Sequence, residues 1–227
     1  MLKVIIGVMA IGLTFGPVLV ANAEEKIVQP MPFIVFLDKD AKNHYVSSGW
    51  MGDWGDLTIS DSMDNPHEGR TCIKWAYSAK KLQGQGWAGC YWQEPLDNWG
   101  NKEGGHNLIL AKRLTFWARG EKGGEVVTFL MGGITSGKVS SDTCAGKMEN
   151  VILTSGWKKY ILDLEGKDLK NIITGFGFVP SDQKFYLDTN NKSLNIHRLP
   201  LPQYQATFFN LSNKIFIASD TLNISSL

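Results

Sequence analysis

Cysteine is scarce in this chain of 227 residues: Cys72, Cys90 and Cys144 permit one intramolecular disulfide at most, which excludes a fold stapled by several. Charge of one sign is missing too. The formal net charge is +1 at pH 7, and no cluster of Lys and Arg stands out, which argues against nucleic acid or an anionic membrane surface as partner. Helical periodicity is nearly absent. Apolar runs long enough to span a bilayer are absent after the first twenty residues. Motifs that carry catalysis are also lacking. The four histidines, His44, His67, His106 and His197, show no His-Glu-x-x-His spacing, and there is neither a Gly-x-Ser-x-Gly elbow nor a phosphate-cradling loop ending in Lys-Ser or Lys-Thr.

What is present begins with an apolar run, Val4 to Val20, preceded by Lys3 and closed by Ala21-Asn22-Ala23. That pattern predicts a secretory signal over residues 1–23 and a periplasmic or secreted protein. The other reading is a retained anchor, but Gly7, Gly12, Gly16 and Pro17 interrupt the run, and Glu24, Glu25 and Lys26 follow it at once. No cysteine near the cleavage site offers a lipid attachment point. Removal of the signal takes away Lys3 and leaves 22 basic against 22 acidic side chains.

After a linker over 24–32, short β-rich runs alternate with Gly, Asp and Asn clusters, which predicts an all-β, antiparallel two-sheet sandwich. The expected strands are Phe33 to Leu37, Leu57 to Asp61, Thr71 to Tyr77, Gly86 to Gln93, Arg113 to Arg119, Val126 to Met131, Trp157 to Leu164, Gly175 to Val179 and Lys184 to Asp188. A single helical turn is expected near Lys167 to Ile172. Alternation places Leu114, Phe116 and Ala118 in the core, with Tyr160, Leu162, Leu164, Phe176 and Phe178, and turns Arg113, Thr115, Trp117 and Arg119 outward. The domain is drawn at 33–188. Residues 189–227 contain neither Gly nor Trp and a single acid, Asp220, and read as a loosely ordered tail with a short strand at Lys214 to Ala218.

A hairpin of Thr71 to Tyr77 with Gly86 to Gln93, in the register that pairs Trp75 with Trp87, would set Cys72 opposite Cys90 and allow a disulfide. Two buried thiols are the equal alternative. Glu121-Lys122-Gly123-Gly124 reads as a hairpin turn.

Eight tryptophans are the outstanding feature, and several lie among Gly, Asp, Asn and Gln. A sugar ring offers an apolar C–H face and a rim of hydroxyls, so a site for it needs flat aromatic surfaces flanked by amides, carboxylates and guanidinium groups. Trp75 and Trp87 are assigned to packing. Trp92 and Trp117 are expected to form a platform, with Trp54 and Trp99 on flanking loops and Gln93, Asp97, Asn98 and Arg119 bonding hydroxyls.

Ser48-Gly49-Trp50-Met51-Gly52-Asp53, Gly86-Trp87-Ala88-Gly89, Tyr91-Trp92-Gln93 and Asn98-Trp99-Gly100, followed by Leu114-Thr115-Phe116-Trp117-Ala118-Arg119-Gly120, Gly123-Gly124-Glu125, Trp157-Lys158-Lys159-Tyr160 and Phe185-Tyr186-Leu187-Asp188, resemble bacterial secreted carbohydrate-binding-module-like domains. The resemblance runs from about Phe33 to Asp188. It implies a galactose-binding-like jelly roll that binds poly- or oligosaccharide on a concave face without catalysis. It also implies a structural calcium, for which Asp38, Asp40 and Asp188 are the candidates. Where such domains end on two successive acids, Asp188 is followed by Thr189. The departure coincides with the change in composition, as a replaced ending would.

Two other classes of function stay open at this level. An envelope structural or interaction protein would dock a protein partner through the same aromatic residues. A glycoside hydrolase or lyase would draw its paired carboxylates from Asp53, Asp56, Glu94 and Asp97.

Overall fold

Leu114, Phe116 and Ala118 are buried on the strand Arg113–Gly120, and Trp117 faces away from them, as two-residue alternation requires. The computed structural model describes residues 25–36, 43–180, 213–217 and 222–225. The expected signal at 1–23, the calcium candidates Asp38, Asp40 and Asp188, and the expected strand Lys184 to Asp188 lie outside these residues.

In chain order the strands are β1 (Phe33–Phe36), β2 (Val46–Gly52), β3 (Leu57–Ser62), β4 (Cys72–Tyr77), β5 (Ala88–Gln93), β6 (Arg113–Gly120), β7 (Val126–Gly132), β8 (Ala145–Ile152), β9 (Lys158–Asp163), β10 (Thr174–Pro180), β11 (Asn213–Ile217) and β12 (Leu222–Ser225). A 3-10 turn, Trp54–Asp56, joins β2 to β3. The protein is an all-β sandwich of two antiparallel sheets. One has five strands in the order β2-β5-β10-β7-β8, and the other has seven, with β1-β12-β6-β11-β4-β3 and β9 on the free side of β6.

Aromatic side chains from both sheets fill the space between them. Trp75 of β4 meets Trp92 of β5 at 5.5 Å between ring centroids, Trp92 meets Phe176 at 5.0 Å, and Phe116 of β6 meets Phe176 at 5.1 Å and Phe129 at 4.5 Å. The edge-to-face and tilted geometries are those that suit ring quadrupoles.

Several expectations are corrected by this topology. β4 and β5 belong to different sheets, so the hairpin does not form: Trp75 pairs with Ile59 and Ile215, and β5 pairs with β2 and β10. The expected disulfide does not form: Cys72 and Cys90 lie buried on strands of different sheets, and burial pushes the Cys90 thiol well up. The turn Glu121 to Gly124 crosses from one sheet to the other instead of closing a hairpin. No helix forms at 167–172, where the Asp168 side chain accepts the Lys170 amide in a local turn.

The segment expected as a loose tail supplies strands inside the sandwich. β11 runs antiparallel to the C-terminal end of β6 (Ile217 with Ala118), and β12 continues along its N-terminal end (Asn223 with Thr115). β11 also pairs with β4, and β12 with β1. The last strand path is therefore interior to the sheet. Among the described residues no helix is long and apolar enough to cross a membrane.

Candidate functional site

Two adjacent aromatics in β5, Tyr91 and Trp92, must point to opposite faces, and the neighbouring strand decides which goes inside. β10 sets Phe176 beside Trp92 and Phe178 beside Cys90, while Gly177 falls beside Tyr91. Large side chains therefore collect on the core side. On the other flank of β5, Gly49 of β2 lies beside Tyr91. Tyr91 is thus framed by glycines on both neighbouring strands, on the open face of the five-stranded sheet.

That framing lets the Tyr91 ring lie down. A Cβ on Gly177 would come within 2.4 Å of Cδ1 and 2.5 Å of Cε1 of Tyr91, and a Cβ on Gly133 would stand 3.4 Å from its hydroxyl. The ring crosses β10 toward the loop after β7, with one broad surface against the sheet. Burial raises the hydroxyl's pKa, and Asp142 adds to the shift, so it is a neutral hydrogen-bonding group at neutral pH. Trp99 stands at the ring's edge, 6.2 Å away between centroids and near perpendicular, and is 40% exposed.

The loop that presents Trp99 is built by amides expected to touch a ligand. Asn98 is wholly buried: its Nδ2 donates to the carbonyls of Glu94 (3.3 Å) and Lys102 (3.2 Å), and its Oδ1 accepts from Gly100 N at 3.0 Å. Gln93, equally buried, donates to the Asn98 carbonyl at 2.9 Å and accepts from Ser48 Oγ at 3.1 Å. Both expectations are corrected, because each amide is consumed in shaping the turn. Asp97 is exposed beside Trp99, whose Nε1 donates to its Oδ1 at 3.1 Å.

The expected platform of Trp92 with Trp117 does not exist. Trp92 is 0% exposed, a core residue, since its register neighbour is Phe176. Trp117 is half-buried on the outer face of the other sheet, where the His67 ring stacks on it at 3.9 Å. Arg119 is buried beneath the same loop: it donates to the Asp64 carbonyl at 3.0 Å, lies 3.8 Å from the Asp64 carboxylate, and rests over the Trp157 ring at 5.4 Å. The guanidinium fastens a loop in place of meeting a ligand.

Of the remaining tryptophans, Trp54 is 55% exposed on the 3-10 turn. Trp87, assigned to packing, is 40% exposed just before β5. Sequence reasoning missed Tyr91 and Trp87. The signal that finds Tyr91 is Gly175-Phe176-Gly177-Phe178, whose glycines mark a face that something else must cover.

Solved carbohydrate-binding modules are similar to this chain. A family 30 module is 16% identical in sequence, with 85% of this chain and 87% of that chain covered and a TM-score of 0.49. The family 11 module of a cellulosomal cellulase of Clostridium thermocellum is 10% identical, with 88% and 97% covered and a TM-score of 0.49. A family 29 module is 14% identical, with 86% and 87% covered and a TM-score of 0.42. No family model matches the sequence, and no curated protein matches it significantly.

The carboxylates considered for hydrolysis have structural partners. Asp53, fully buried, accepts the amides of Gln83 (2.8 Å), Gln85 (2.9 Å) and Gly86 (2.5 Å). Burial opposes its ionisation, but these N–H donors prevail and hold its pKa below the ordinary value. Asp56 accepts from Ser78 Oγ and the Lys81 amide, and Glu94 accepts from the Gly105 amide. Among the described residues, no group of three or more His, Cys, Asp or Glu side chains is placed to hold a metal ion.

Proposed function

We propose that this protein is an exported, non-catalytic module that binds a poly- or oligosaccharide on the open face of its five-stranded sheet. The observation that carries the reading is the Tyr91 ring laid across Gly177 with Trp99 at its edge. A sugar ring stacked there covers its C–H face, and the Tyr91 hydroxyl and the exposed Asp97 carboxylate stand ready for its hydroxyls. Glycines on the strands beside Tyr91 keep the floor low enough for a chain to approach. Asp53, Asp56 and Glu94 are bonded to backbone amides, which supports binding without hydrolysis. The reading needs no cofactor; the calcium implied by the sequence resemblance stays tied to Asp38, Asp40 and Asp188.

Affinity electrophoresis tests this directly. Hydroxyethylcellulose, mixed-linked β-glucan, xylan and galactomannan are cast one at a time into native gels. At least one retards the wild-type protein, and Tyr91→Ala with Trp99→Ala weakens that retardation roughly tenfold or more, since each stacked ring contributes on the order of 1 kcal/mol. Unaltered mobility of the wild type in every gel overturns the proposal, as does full retardation of the double variant.

A further inference from the structure

Trp87 falls on the open face by the alternation of β5. Residues 87, 89, 91 and 93 share one parity, and Trp92, Cys90 and Ala88 of the other parity are core. Trp87 therefore stands on the same side as Tyr91, about 13 Å along the strand direction at the usual rise per residue. Between them the floor is Gly89, where an added Cβ would meet the methyl of Met51 at 3.0 Å and Cγ2 of Val179 at 2.9 Å. Gly89 carries no side chain of its own, and the Phe178 carbonyl oxygen lies there too, 2.9 Å from the same added Cβ. Trp99 follows β5 at its other end, beside Tyr91.

The backbone that carries the Trp87 ring is anchored. The Asp53 amide donates to the Trp87 carbonyl at 2.6 Å, and the Asp53 carboxylate takes the amides of residues 83, 85 and 86 immediately before it. Gly52, at φ +59°, lies so close that a Cβ would come within 3.0 Å of Cδ2 of Trp87. An exposed tryptophan on so firmly anchored a backbone suits stacking, because less of its main chain has to be ordered when a ligand arrives.

We infer that Trp87, Tyr91 and Trp99 form one track along β5, and that the ligand is a linear polysaccharide lying parallel to this strand, with Trp87 as the distal stacking position. This rests on the glycan reading above. A ring stacked on Tyr91 does not reach Trp87; only a chain that crosses the Gly89 floor engages both. Affinity accordingly rises with chain length, and the rise belongs to Trp87.

The test uses the full-length protein in the gel assay above, with whichever of the four polysaccharides retards it. Disaccharide and hexasaccharide fragments of that polysaccharide serve as competitors. The hexasaccharide competes better than the disaccharide with the wild type. Trp87→Ala reduces this advantage by about threefold to about tenfold while leaving the disaccharide's potency as it was. Trp87→Phe, which keeps a flat ring, retains most of the advantage, and equal melting temperatures show that both variants fold. If Trp87→Ala leaves the hexasaccharide advantage intact while Tyr91→Ala with Trp99→Ala still weakens retardation, the track is wrong and the glycan site stands. If no polysaccharide retards the wild type, both fall together.

Discussion

Trp92 and Tyr91 show how one position along a strand separates a core residue from a surface one. Both are aromatic and adjacent, so alternation fixes only that they diverge; the pairing of Phe176 and Gly177 on β10 decides the direction. The two differ in what a substitution does. Trp92→Ala opens a cavity among Trp75, Phe176 and their neighbours and lowers unfolding free energy by about 3 to 5 kcal/mol. Tyr91→Ala removes a half-buried ring from the sheet face and leaves no enclosed cavity, so it costs clearly less stability than Trp92→Ala. Urea titrations followed by tryptophan fluorescence measure both; a Trp92→Ala protein as stable as the wild type contradicts the core assignment. Composition flagged the tryptophans as the notable residues, yet it could not sort them. Trp117 was rightly placed on an outer face, but the His67 stack that covers it comes from a distant loop invisible to local pattern.

At the scale of elements, the strands that were legible are those with clear alternation, such as β4, β6, β7 and β9. Two that were not, β2 and β8, are the two edges of the five-stranded sheet. An edge strand has one neighbour and little need of apolar residues, and both here meet register shifts that break the two-residue period. Loops were legible only as composition. Their order comes from single buried groups, among them Asn98 for the Trp99 loop and Asp53 for residues 83–86. Asp53→Asn tests the second case, because an amide nitrogen set against backbone N–H groups cannot accept from them. The folded pKa of Asp53 lies below its ordinary 3.8, so its carboxylate stabilises the fold above that pH and the contribution fades as pH falls through the folded value. The stability gap between wild type and Asp53→Asn is therefore widest near neutrality and closes in acid. Denaturant titrations from pH 7 downward check this, and a gap that stays constant into acid refutes it.

Across the whole molecule, the C-terminal segment decides whether the seven-stranded sheet exists. Its composition, without glycine or tryptophan, reads as foreign to the sandwich, and one strand near Lys214 was all that local pattern offered. Pairing to distant partners is what that reading lacked: β11 needs β4 and β6, and β12 needs β6 and β1, each more than 90 residues away in sequence. Without β11 and β12 the sheet loses the strands that join these parts. β3–β4 becomes an isolated pair, β6 keeps only β9, and β1 keeps no partner in the sheet. A two-stranded ribbon is marginal alone, and the newly bared edges of β4 and β6 invite association with other chains. A protein ending at Asp188, where the family resemblance ends, is thus expected to lose its near-ultraviolet circular dichroism and its cooperative unfolding transition and to sediment as aggregates. The full chain unfolds in one transition and stays dispersed. A truncated protein that keeps the full-length melting temperature and polysaccharide retardation shows instead that the sandwich closes without its last strand, and that the interior place of β11 and β12 is not needed to hold Tyr91 and Trp99 in position.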